Sequence, residues 1–176
     1  MSRLLSQAAD HIEHNAIYAA LYMNDIAKSW RWSIYLHRPN KSHSGFRLQI
    51  TDARSPGSGQ WEYTISPHSA LQSSTISTLV KIGQVADPSW GVEFLDVYLR
   101  PIQLGQVPAA DRQREGKFDE RVWFREAVRR LRDAGMFLAC PDVDALEMEL
   151  MSYARLGDQL MHPTFSVSKR AWPFSL

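Results

Sequence analysis

The sequence predicts an α+β domain, an antiparallel meander sheet or partial barrel of about five strands packed against three to four helices. Three observations predict it. Five segments rich in β-branched and aromatic residues fall between Ala16 and Val85. The breaks between them, such as Arg38-Pro39-Asn40-Lys41 and Ser55-Pro56-Gly57-Ser58-Gly59, are polar and of hairpin length, too short for helical crossovers. After Asp87 the apolar period lengthens from that of a strand to that of a helix. A chain of 176 residues, 44% hydrophobic and 22% charged, can bury a sizeable core. It is read as one domain over 1–176, with an N-terminal helix (1–14), a strand meander (15–86), a helical part (87–161) and a docked aromatic tail (162–176).

Leu4, Leu5, Ala8 and Ile12 recur at three and four residues, which predicts an amphipathic helix over 3–14. The strands follow at 16–23, 30–37, 46–51, 61–66 and 78–85. Alternation assigns their faces. Phe46, Leu48 and Ile50 oppose Arg47, Gln49 and Thr51, and Trp61, Tyr63 and Ile65 oppose Glu62 and Thr64. In the second strand Trp30, Trp32, Ile34 and Leu36 share one face, and Arg31, Ser33, Tyr35 and His37 share the other. One face of the sheet is expected to be core and the other polar.

Asp87-Pro88 carries the signals of a helix start, with Phe94, Leu95, Tyr98 and Ile102 on one face and Pro101 closing the element. The polar stretch 103–117, with Gly105, Pro108 and Gly116, is long for a small domain and reads as a lid or, more in keeping with its composition, a disordered segment. Over 118–134, Phe124, Ala127, Val128 and Leu131 make an apolar stripe that Gly135 ends. Cys140-Pro141-Asp142 caps a last helix in which Val143, Leu146, Leu150 and Ala154 recur until His162-Pro163 stops it. Phe165, Trp172 and Phe174 carry enough aromatic area for the tail to dock on the domain.

A formal net charge of +1 argues against a protein built for the general field of a nucleic acid or an anionic membrane. Cys140 is the only cysteine, so no intrachain disulfide forms and a cytoplasmic setting fits. The longest apolar run, 16–23, is far too short to span a bilayer, and the first fifteen residues lack the apolar core of a signal peptide. No pair among the six histidines lies at metal spacing beside a suitable carboxylate, so no metal is assigned. Gly57 and Gly59 do not open a helix, and no phosphate loop or other cofactor motif is assigned. Flanked by Phe137, Leu138 and Ala139, Cys140 reads as an inert buried thiol.

Two charged features stand out. Arg31 sits between two Trp in a strand, either clamping an anion or carbonyl with Tyr35 as a donor, or lying on a solvated face or against Glu62. Arg121, Arg125 and Arg129 stack at four-residue spacing. That stripe could grip phosphates, but Glu126 four residues before Arg130 and the near-neutral total charge favour an ordinary solvated face.

The early Trp-centred strand, the meander, and a later helix reading Glu120-Arg121-Val122-Trp123-Phe124-Arg125-Glu126-Ala127 together resemble a group of small fungal proteins that look like circularly permuted papain-like domains. The likeness spans 16–154. In such domains a His on the early strand meets a Cys opening the later helix. The resemblance puts the His position at Arg31 and the Cys position at or next to Glu120, so both catalytic residues are replaced and thiol hydrolysis is excluded. It implies a surviving cleft in which Arg31 faces Glu120. The expected function is then a small-molecule pocket, such as a cofactor-free cyclase or isomerase of fungal secondary metabolism. Arg31, Tyr35 and Glu120 would be its catalytic groups, and Trp32, Ser33, Arg47, Trp123 and Trp172 its contacts to a small apolar or carbonyl-bearing molecule. The alternative is a non-catalytic interaction module, a dead hydrolase. A closed cavity with converging Arg31 and Tyr35 favours the first, and Arg31 locked onto Glu120 on a flat surface favours the second.

Overall fold

The computed structural model describes residues 12–24, 29–52 and 59–173. Its main element is an open six-stranded sheet of β1 (Ala16–Asn24), β2 (Ser29–His37), β3 (Gly45–Asp52), β4 (Trp61–His68), β5 (Ile76–Gln84) and β7 (Thr164–Val167), ordered β4-β3-β2-β1-β5-β7. All pairings are antiparallel except β5 with β7. The α+β class and the five expected strands are present. The meander, however, covers only β1 to β4. The chain then crosses the sheet through a 3-10 turn (Ala70–Gln72) and pairs β5 with the free edge of β1. Ala70 is fully buried in that crossing, which is one reason the second face of the sheet is not simply wet.

Three helices, α1 (Val92–Leu99), α2 (Glu120–Asp133) and α3 (Val143–Leu160), cover one face. There Ile17, Leu21, Trp32, Ile34, Leu48 and Ile50 meet Leu95, Phe124, Leu131 and Leu146 in one apolar core. The Asp119 side chain starts α2 by accepting the Val122 N–H at 2.9 Å, and Gly135 at φ +66° ends it. Asp142 caps α3 by accepting from Asp144 and Ala145, and α3 ends on Met161 in the left-handed region. At Gly157 a Cβ would fall on the Ser77 carbonyl oxygen, so only glycine lets α3 lie this close to β5.

The first helix starts later than Asp87-Pro88 suggests. Asp87 caps a turn instead, accepting from the Ser89 N–H at 2.8 Å, while Arg38 takes the Pro88 carbonyl at 2.8 Å and the Trp90 carbonyl. With those two carbonyls bound by a guanidinium, the helix begins only after Gly91.

Two expectations about charge are overturned together. The arginine stripe of α2 is not a solvated face, and 103–117 is neither lid nor disordered. Arg125 is 1% exposed; its Nη2 lies 2.7 Å from Oδ1 of the fully buried Asp111, and it also holds Glu115, Asp144 and Glu147. Arg129 grips both Asp111 oxygens at 2.6 and 2.7 Å, and Arg121 bridges Glu147 and Glu115. The stripe pins the 103–117 segment and α3 through carboxylates that lie outside the helix itself. Periodicity within one helix could not see them.

The tail docks as two short strands. β7 extends the main sheet, and β8 (Trp172–Pro173) pairs with β6 (Leu138–Ala139). Phe165 packs against the second face, whereas Trp172 stays 44% exposed and Phe174 lies outside the described residues. The helix expected over 3–14 falls mostly outside them too, and 12–14 lead into β1 without helical structure.

Candidate functional site

β2 is paired along its length with β1, but β3 joins it only from Ile34↔Leu48 onward. The stretch 29–33 therefore has an edge without a strand partner among the described residues, and the N-terminus of α2 comes beside it. Glu120, the first residue of α2, stands at this edge: its carboxylate is near enough to the Trp32 backbone N–H for its pKa to be lowered by it, and it pairs with Arg31. Arg31 Nη2 and Nε lie 3.0 and 3.1 Å from Glu120 Oε1. The pair is lopsided, with the Arg31 side chain 47% exposed and that of Glu120 15%.

Beside this pair opens a shallow cleft of about 380 Å³ lined by Trp30, Trp32, Trp61 and Met151 and by the polar Asn24, Ser29, Asp119, Glu120 and Arg121. Its walls are held from behind. Trp30 Nε1 donates to Asp158 Oδ2 at 2.8 Å, Trp32 packs on Phe124 at 5.3 Å between centroids, and Trp61 meets Phe118 edge-on at 5.9 Å. Burial against this wall holds the Glu120 carboxyl above the usual carboxylate range; Arg31 and the Trp32 N–H pull it back without cancelling the effect. A carboxyl whose pKa burial pushes upward, beside a guanidinium open to solvent, has the attributes of an acid–base group.

The structure brings together only part of the expected site. Trp32 and Glu120 line the cleft, and Arg31 stands behind it, paired with Glu120. Tyr35 lies on the opposite face of the sheet, fully buried, its hydroxyl 2.8 Å from Ser44 Oγ and 3.4 Å from His37 Nδ1. Ser33 shares that face and spends its hydroxyl on the Ala20 carbonyl at 3.1 Å. Arg47 is there as well, over the Tyr22 ring. Trp123 is fully buried in the core next to Tyr63, and Trp172 belongs to the β6–β8 ribbon. Trp30, Trp61 and Met151 were not among the expected contacts. For Trp61 a signal existed, since alternation sets it on the core face of β4 at the end where β3 leaves β2.

Cys140 is buried, and burial pushes its thiol up to about 11, which leaves it no role as a nucleophile. Among the described residues no group of three or more His, Cys, Asp and Glu is placed to hold a metal ion. No helix among them is long and apolar enough to cross a membrane. Comparison with known proteins found no matching family model, no matching curated protein and no matching solved structure.

Proposed function

We propose that this protein binds a small apolar, carbonyl-bearing molecule in the Trp-walled cleft and isomerises or cyclises it by proton transfer through Glu120. The observation that carries the reading is the upward-held carboxyl of Glu120 in a Trp-lined cleft, 3.0 Å from a half-exposed guanidinium. As a base, the carboxylate removes a proton from the carbon beside the ligand's carbonyl. Arg31 turns its N–H groups from Glu120 to the developing enolate oxygen, and Glu120 returns the proton at a second carbon, so the product is an isomer and no atom is gained or lost. The indoles of Trp30, Trp32 and Trp61 supply flat apolar surface for the skeleton. Descent of this cleft from a permuted thiol-hydrolase site is part of the proposal, supported by Arg31 on the early strand opposite Glu120 at the opening of the helix.

The experiment is a titration with simple cyclic ketones followed on the indole N–H signals of the six tryptophans. Saturable shifts at Trp30, Trp32 and Trp61, with Trp90, Trp123 and Trp172 unmoved, support the reading; uniform or absent shifts oppose it. A second reading is a binding module without catalysis, favoured by the closed Arg31–Glu120 pair and the open rim of the cleft. It predicts binding without turnover.

A further inference from the structure

The Trp-lined cleft holds more negative charge than its arginines take up. Asp119 and Glu120 both line it. Glu120 is answered by Arg31 at 3.0 Å. Arg121, the basic residue of the lining, is already committed to Glu147 at 2.8 Å and to Glu115. Asp119 makes no ion pair among the described residues: its Oδ1 accepts the Val122 N–H at 2.9 Å, and Oδ2 is left over. The Asp119 charge reaches its neighbour, where it works against ionisation of Glu120. The N-terminus of α2 favours both carboxylates, but it offers only partial charge and supplies no cation to Asp119.

The walls are of the side-chain type that attracts cations best. Trp30, Trp32 and Trp61 line the same cleft as the carboxylates, and indole is the strongest of the aromatic rings toward a positive charge. Trp30 donates its Nε1–H to the Asp158 carboxylate at 2.8 Å, a charge-assisted bond that polarises the indole toward its ring face. One cation already lies over that ring, since the Arg155 guanidinium is 6.0 Å from its centroid. Arg155 does not line the cleft, so this contact leaves the carboxylates there unanswered. Trp30 and Trp61 are half-buried, which keeps the walls within reach of a ligand from solvent. Indoles offer area but no hydrogen-bond acceptor. That combination suits a methylated ammonium, which donates no hydrogen bond, better than a primary ammonium with three donors to satisfy.

We propose that the molecule taken up by this cleft carries a quaternary ammonium group, seated against Trp30, Trp32 and Trp61 with Asp119 as its counter-charge. The inference rests on the function proposed above only in that the cleft is a ligand site; turnover there is not required. A cation beside Asp119 also favours the carboxylate form of Glu120, so the ligand would prepare the base that acts on it.

The test compares two cyclic ketones of the same shape, one bearing a trimethylammonium group and the other a tert-butyl group, with tetramethylammonium alone as a third ligand. Each is titrated into the full chain at constant ionic strength and followed on the indole N–H signals of Trp30, Trp32 and Trp61. The cationic ketone is expected to saturate these signals about fivefold or more tighter than the neutral one, the usual worth of a cation against aromatic faces. Asp119→Asn keeps a capping side chain for α2 and should bring the two ketones close to parity. Equal or weaker binding of the cationic ketone by the unaltered protein overturns the inference and leaves the ketone reading of the cleft standing. Saturation by tetramethylammonium but by neither ketone upholds the cation site and overturns that reading. Saturation by none of the three overturns both. An undiminished preference in folded Asp119→Asn also overturns the inference, because the counter-charge would then lie elsewhere; should that variant not fold, the comparison in the unaltered protein still decides.

Discussion

Arg31 and Glu120, far apart in the chain, form an ion pair of 3.0 Å at the point where β2 loses β3 as its neighbour. Glu120 stands beside the open strand edge there, with the Trp32 N–H helping to stabilise its charge. Because burial raises the folded-state pKa of Glu120, the folded protein holds the proton to higher pH than the unfolded chain does. Stability attributable to Glu120 therefore falls as pH rises from the ordinary glutamate value through the raised one. Glu120→Gln removes the titrating group and is expected to abolish that slope, with equal or greater stability at neutral pH. Urea unfolding across that pH range checks it. Arg31→Ala should cost only about 0.2–1 kcal/mol, as exposed pairs do, while raising the Glu120 pKa further, read from its side-chain carbonyl carbon by NMR.

The buried network makes the opposite prediction. Arg125 and Asp111 are 1% and 0% exposed, so removing one partner strands the other's charge in the interior. Arg125→Ala should destabilise the protein by roughly 3–5 kcal/mol. Arg125→Met with Asp111→Asn should cost less than the sum of the two single changes, since each charge is removed with its partner. Asp111→Ala should also release 103–117, read as new protease cleavage there. Single-change costs below 1 kcal/mol in urea unfolding would contradict the arrangement.

What the sequence made legible follows the range of each signal. Strand alternation places Phe46 against Arg47 and Trp32 against Arg31 correctly, because side-chain direction within a strand is a local property. The caps at Asp119 and Asp142 are local too. The crossing from β4 to β5 was hidden, since a short connection reads as a hairpin whichever strand it reaches. The arginine stripe was visible but its partners were not: Asp111, Glu115, Asp144 and Glu147 belong to other segments, and net charge cannot tell a solvated stripe from a neutralised one. The cleft was half legible. Arg31 and Glu120 could be paired only through a likeness, and Tyr35 looked like a companion of Arg31 because both point to one face, although the Arg31 side chain turns around the open strand edge to reach α2.

His37 predicts a second pH effect, opposite in direction. Burial, with a smaller push from His14, lowers its pKa from 6.5 to about 4. The unfolded chain then binds the extra proton throughout that window, so stability contributed by neutral His37 is complete above pH 6.5 and lost as pH falls toward 4. The full effect is on the order of 3 kcal/mol. His37→Gln should flatten this acid limb, measured as the change in unfolding free energy between pH 7 and pH 4.

The most direct measurement is turnover of a β,γ-unsaturated cyclic ketone, followed by the ultraviolet absorbance of the conjugated isomer, with binding read in parallel from tryptophan fluorescence. The account predicts saturable conversion by the unaltered protein. Glu120→Gln should bind the ketone but convert it roughly 10²–10⁴-fold more slowly, the usual worth of a positioned acid–base group. Conversion at the same rate by Glu120→Gln, or neither quenching nor conversion by the unaltered protein, would contradict it.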